Sequence, residues 1–247
     1  MRRLPPGLTR RSVLLAALLL FCCQHGPAGA APAENRIQGE ERVRVLDRMR
    51  ELQRSVVSVR ATVVQRKRHP LLKGEALSEG TLLFQRPNRV RWEVHRPEHT
   101  IIAIDGFTLV TYHPEAQEAE RRDLRDEFGI RTTLEFLTSG ISLGVPELEK
   151  RFQVDLFRED GRLLVVLTPR SRWVAQVVAS VAIYQREGEA FPQQIVVTGQ
   201  KGDRSETTLT HVVLNPQVSE DAFVLRLGPE VRVTDIRKPT GDRGSDR

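Results

Sequence analysis

From Val56 onward the chain breaks into short runs rich in β-branched and aromatic residues, each closed by turn chemistry, and this pattern restricts it to a sheet of antiparallel neighbours. The first runs are Val56–Gln65, Ala76–Gln85, Val90–Val94, Thr100–Ile104 and Phe107–Tyr112. Between them stand Arg86-Pro87-Asn88, Arg96-Pro97-Glu98 and Asp105-Gly106. Proline fixes φ and removes a backbone donor, asparagine tolerates turn geometry, and Asp-Gly is a short-hairpin signal. The stretch Phe84 to Trp92 therefore puts Arg86 at the rim of a sheet whose next strand carries one of only two tryptophans.

Ahead of the first strand, Val43, Leu46, Met49, Leu52 and Val56 recur at three- and four-residue steps and predict one amphipathic helix of roughly four turns. A second break comes at Thr132–Thr138, followed by Gly140, Gly144, Pro146 and the acidic-first run Glu147–Lys150, which read as short helices joined by loops and lying across the sheet. Strands resume at Phe152–Arg158, Arg162–Thr168, Val177–Arg186, Gln194–Gln200 and Glu206–Leu214. A turn of helix is expected at Ser219–Ala222, then closing strands at Phe223–Leu227 and Val231–Ile236. The expectation is a mainly β (α+β) chain of about ten or eleven strands, a curved sheet with helices on its concave side and a cavity wherever they leave it unfilled.

The N-terminus reads as an export leader over 1–30: Arg2, Arg3, Arg10 and Arg11 precede the apolar run Val13 to Phe21, and Ala28-Gly29-Ala30 is a small-residue cleavage site. Thr9-Arg10-Arg11-Ser12-Val13-Leu14-Leu15 also fits a twin-arginine signal, so general secretion and the twin-arginine route both stay open. Both cysteines, Cys22 and Cys23, fall within this leader, and cleavage after it removes disulfide and thiolate chemistry together. Leu20-Phe21-Cys22-Cys23 is alternatively a poor lipoprotein box, which would tether the protein through an acylated Cys23. Four of the 38 Lys+Arg and none of the 32 Asp+Glu lie in 1–30, so the remaining chain carries a surplus of only two basic residues. That balance argues against nucleic acid as a partner. A single domain is expected over 31–237, with a polar disordered tail over 238–247.

Three constellations could carry chemistry. Gly140-Ile141-Ser142-Leu143-Gly144 fits a nucleophile elbow, with Asp203 and His211 following in hydrolase order, yet the elbow needs a strand before the serine in a parallel sheet, and here a helix precedes and Pro146 follows. His95, His99 and His113 could hold a metal, but the turn at Pro97 is expected to send the first two to opposite sides of a hairpin corner, without carboxylates to join them. Arg86, Arg89 and Arg91 beside Trp92 could bind phosphate, although Glu93 and Glu98 dilute the strip. No catalytic residue, metal or cofactor is expected, which leaves binding as the function.

Gly80 through Trp92, with Arg86-Pro87-Asn88 between, resembles the glycine-led strand, Arg-Pro turn and tryptophan of the LolA family of periplasmic lipoprotein carriers. Ile104-Asp105-Gly106-Phe107-Thr108-Leu109 leading to Tyr112-His113-Pro114, Leu167-Thr168-Pro169, and Asp221-Ala222-Phe223 with Val231-Arg232-Val233 are similar to further segments of it. The resemblance runs from about Val43 to Ile236, and Val110 stands where that family has a tryptophan. It implies an incomplete antiparallel β-barrel with helices as a lid over a hydrophobic cavity for lipoprotein acyl chains. Arg86 would latch the lid through backbone carbonyls, and Trp92, Leu82, Phe84, Phe136 and Leu137 would belong to the cavity and its lid. The implied partners are lipoprotein acyl chains, an inner-membrane lipoprotein-releasing transporter and an outer-membrane acceptor, met in the periplasm by a monomer.

Overall fold

The computed structural model describes residues 35–71, 73–125 and 145–236. The leader 1–30 with Cys22 and Cys23, the expected helix Thr132–Thr138 with Phe136 and Leu137, Ser142, and the tail 238–247 lie outside the described residues.

The strands are β1 (Arg36–Ile37), β2 (Ser58–Arg68), β3 (Glu75–Gln85), β4 (Arg89–Arg96), β5 (Thr100–Asp105), β6 (Thr108–His113), β7 (Glu118–Asp123), β8 (Phe152–Glu159), β9 (Arg162–Pro169), β10 (Val178–Arg186), β11 (Gln194–Gly199), β12 (Arg204–Leu214) and β13 (Arg232–Ile236). They form one sheet in the order β1-β8-β9-β10-β11-β12-β2-β3-β4-β5-β6-β7-β13. Every pairing is antiparallel except that of β13 with β7. The sheet is open, not a closed barrel: β1 and β13 are its edges. Helix α1 (Gly39–Arg54) precedes β2, α2 (Val145–Arg151) precedes β8, and the single turn α3 (Arg172–Ala175) links β9 to β10. No helix among the described residues is long and apolar enough to cross a membrane.

Alternation along the longer strands gives the sheet one apolar face. At its β8–β10 end Phe152, Val154, Leu156, Val165, Leu167, Val181 and Ile183 form a buried cluster that Leu46, Val45 and Met49 of α1 and Leu148 of α2 cover. A second cluster on the same face joins Val59, Ala61 and Val63 of β2 to Phe84, with Val56 and Phe191 as its cover. The helix is the one the sequence predicts, but its buried stripe is rotated. Val43 is exposed while Val45 packs inward, and Val56 lies beyond the helix end, 1% exposed in the second cluster. Arg42 fixes that rotation by reaching Glu149 of α2 at 2.5 Å and the carbonyl of Val154 at 3.3 Å.

Two expectations about strands are corrected. The described residues hold thirteen strands rather than ten or eleven, the additions including the two-residue β1 and the strongly charged β7. Phe223–Leu227 is not a strand. A 3-10 turn, Glu220–Phe223, and the extended chain after it form a strap across β4 and β5 on the face opposite α1, with Phe223 2% exposed.

Gly80 packs directly against the backbone of β4, next to a register shift between Glu79 and Gly80. A Cβ there would lie 2.0 Å from the Glu93 carbonyl oxygen and 2.9 Å from Val94 Cα, both backbone atoms of a paired strand. Gly80→Ala must therefore push the strands apart, at a cost of about 1–3 kcal/mol. The expected fall in Tm is roughly 2–4 °C per kcal/mol, and an unchanged calorimetric transition would show that the hairpin gives way freely.

Candidate functional site

The β3–β4 hairpin brings most of the sequence-predicted residues together. Cross-strand register sets Leu82 opposite Trp92 and Phe84 opposite Val90, and Trp92 faces Ile102 on β5. All five lie on the apolar face that α1 covers further along the sheet. Leu82, Val90, Trp92, Val94 and Ile102 are half-buried, while Phe84 is 1% exposed and belongs to the packed interior. The residues next to the corner thus divide into a closed core around Phe84 and a partly open apolar surface around Trp92.

Arg86 stands at the corner itself. Its Nη2 donates to the backbone carbonyl of Gln53 at 2.9 Å, and its own amide donates to the Val57 carbonyl at 2.9 Å. Both acceptors belong to the end of α1 and the linker into β2, so the corner is tied to the helix that lies across the sheet. Asn215, just past β12, holds the same linker from the other side. Its Oδ1 accepts from the amides of Val57 at 2.7 Å and Ser58 at 3.3 Å, and its Nδ2 donates to the Ser55 carbonyl at 2.9 Å. The sequence reading missed Gln53 and Asn215. The Asn215-Pro216 dipeptide is a turn signal, but nothing local says that its side chain clamps a segment 158 residues away.

The other arginines of the strip point to the opposite face. Arg89 donates to Asp105 at 2.8 Å and its guanidinium sits 6.0 Å from the ring centroid of Phe223. Arg91 donates to Glu93 at 3.3 Å and to the Ala222 carbonyl at 3.4 Å. These contacts fasten the strap to the sheet. Beneath the strap is a cleft of about 320 Å³ lined by residues including Arg91, Ile101, Tyr112 and Leu225. Another of about 260 Å³ opens between β1, the start of α1 and β8, where Arg36, Arg42 and Asp155 make its wall polar. Val110 pairs with Ala103, which pairs with Arg91, so it too faces away from Trp92. The departure at Val110 therefore leaves the Trp92 surface untouched.

The histidines differ from expectation. Glu93, His95 and His99 gather on one face, with one donor atom from each within 4.8 Å of the others. The Pro97 turn does not separate them, because a hairpin returns its second strand beside the first. His113 lies apart and is bonded to Thr100 at 3.2 Å. Burial opposes ionisation of Glu93, but hydrogen bonds from His99 and Arg91 outweigh it and hold the carboxyl below its ordinary value.

The hydrolase pattern does not assemble on its Asp-His side. Asp203 immediately precedes β12 and His211 lies within that same strand, eight residues on, so they are separated by about 26 Å of extended chain. Ser142 is outside the described residues.

A family model described as outer membrane lipoprotein carrier protein LolA matches residues 54–226. The outer-membrane lipoprotein carrier protein of Psychromonas ingrahamii is 28% identical over 161 residues, which are 65% of this chain and 72% of that protein. The protein of the same name from Bordetella avium is 23% identical over 155 residues, 62% of this chain and 69% of its own length. Among solved structures, a LolA superfamily protein from Nitrosomonas europaea superposes with a TM-score of 0.43 at 15% identity, covering 74% of this chain and 97% of that one.

Proposed function

We propose that the chain, which belongs to the LolA family of outer membrane lipoprotein carrier proteins, is a periplasmic carrier that takes the acyl chains of lipoproteins onto the apolar surface around Trp92. The observation that carries this reading is the uneven cover of one continuous apolar face. The β8–β10 end lies under α1 and α2, whereas Leu82, Trp92, Val94 and Ile102 keep part of their surface open to a ligand. Phe136 and Leu137, which the resemblance assigns to such an enclosure and its lid, lie outside the described residues. Arg86 latches that enclosure through the Gln53 carbonyl. Cargo comes from an inner-membrane lipoprotein-releasing transporter and goes to an outer-membrane acceptor, with the carrier crossing as a monomer after removal of the leader 1–30.

The reading rests on sequestration of lipid rather than on bond-making. Each CH₂ of an acyl chain contributes about 0.8 kcal/mol when removed from water, so an uncovered chain in the periplasm is heavily penalised. A half-buried wall of large apolar side chains provides such a cover and still allows release.

The test is native mass spectrometry of protein isolated from the periplasm. The wild type is expected to carry an acylated peptide or lipoprotein. Trp92→Asp is expected to lose it, since an unpaired carboxylate against hydrocarbon is strongly disfavoured. Lipid-free wild-type protein, together with normal lipoprotein sorting after depletion, would remove the carrier reading. A second reading rests on Leu20-Phe21-Cys22-Cys23: the same binding surface working for another amphiphile from a lipid tether at Cys23. Fatty-acid labelling of the protein distinguishes it from the free carrier.

A further inference from the structure

We propose that Glu93, His95 and His99 form a binding site for a late first-row divalent metal ion, with Zn²⁺ as its representative. The site lies on the face opposite Trp92 and goes beyond the carrier reading without depending on it.

Strand geometry assembles the three donors. Glu93 and His95 are two apart on β4 and so project from the same face. The β4–β5 register pairs Val94 with Thr100, and its continuation through the turn sets His99 across from His95 and diagonal to Glu93. The result is a compact group in which the donor atoms lie within 4.8 Å of one another. Glu93 Oε1 and His99 Nε2 are already 3.2 Å apart. Two ligands of a tetrahedral ion with bonds of about 2.0–2.1 Å stand roughly 3.3 Å apart, so this pair is at ligand spacing before an ion arrives. The His95 and His99 rings, with centroids at 6.2 Å, need only side-chain rotation to close the third position, and His95 is exposed and free to make it.

The chemistry of the donors matches the ion. Two imidazoles and one carboxylate suit Zn²⁺ and its neighbours better than Ca²⁺ or Mg²⁺, which take oxygen ligands. Arg91 Nη2 holds the other oxygen, Glu93 Oε2, at 3.3 Å, which orients the carboxylate with Oε1 toward the histidines. Three protein ligands leave one coordination position for water or an external donor.

The experiment uses untagged, chelator-treated protein titrated with zinc chloride by calorimetry, with Co²⁺ as a spectroscopic substitute. One ion per chain is expected, and Co²⁺ should give the visible absorption of a tetrahedral or five-coordinate site. His95→Gln, His99→Ala and Glu93→Gln should each weaken binding by about tenfold or more, the scale set by losing even an outer-sphere partner. His113→Asn should leave binding unchanged. Because His95 is exposed, His95→Gln keeps the test readable if His99→Ala disturbs the hairpin. Absence of stoichiometric binding, or wild-type affinity retained in the His95→Gln and Glu93→Gln proteins, overturns the proposal.

Discussion

Phe84→Ala is expected to lower the unfolding free energy by about 3–5 kcal/mol, the range for removing a buried aromatic ring. Phe84 is 1% exposed and is enclosed by Val59 on β2, Val90 on β4, and Val56, Phe191 and Leu209. Its neighbours belong to several separate segments, so no single local movement can fill the void that alanine would leave. Typical domains are stable by only 5–15 kcal/mol, which makes this a large fraction of the total. Urea unfolding should show a lower midpoint with an unchanged slope, because the surface exposed on unfolding stays nearly the same. A loss below about 1 kcal/mol would mean that the ring borders open space and that the apolar surface around Trp92 continues inward as a cavity. Half-buried Trp92, by contrast, is placed to affect cargo more than stability.

The difference between these two neighbours shows where the sequence is legible. Arg86-Pro87-Asn88 and Asp105-Gly106 are local turn chemistry, and with period-two alternation they give the antiparallel hairpins nearly to the residue. β7 escapes because Glu118-Ala119-Glu120-Arg121-Arg122-Asp123 has a single apolar residue, Ala119, and pairing rather than composition makes it a strand. Phe223, Leu225 and Leu227 alternate as a strand would, yet Phe223 closes a 3-10 turn and its ring packs under Arg89 rather than in a ladder. The cluster of Glu93, His95 and His99 is readable only by extending the β4–β5 register through the turn. Spacing of the histidines taken alone points away from it. The clasp on the α1–β2 linker is less legible still, since Arg86 meets Gln53 from 33 residues away and Asn215 meets Val57 from 158. Such contacts follow from how the helix lies on the sheet, which no local pattern encodes.

Arg86→Ala is expected to loosen that clasp and, on the carrier reading, to make bound lipid harder to release. A hydrogen bond to a charged group is worth about 1.5–3 kcal/mol, and Arg86 makes one to the last turn of α1. Removing it should raise hydrogen exchange at the amides of Leu52 to Val56 by roughly 10- to 150-fold where exchange follows local opening. Asn215 still grips Val57 and Ser58, so the linker should open without the sheet unfolding. If lipid binds the open form, weakening a contact of the closed form shifts the population toward binding and raises apparent affinity by up to the same factor. The physical need for such a latch lies in the lipid itself: several fully buried acyl chains at about 0.8 kcal/mol per CH₂ exceed the roughly 20 kcal/mol at which non-covalent affinity saturates, and cargo held so firmly would never reach an acceptor. Arg86→Lys should fall between wild type and alanine, because it keeps the charge but loses the planar fork. Exchange measured by mass spectrometry and lipid transfer to acceptor vesicles test the two halves separately. Faster exchange with unchanged transfer confines Arg86 to positioning α1, and unchanged exchange removes the latch altogether.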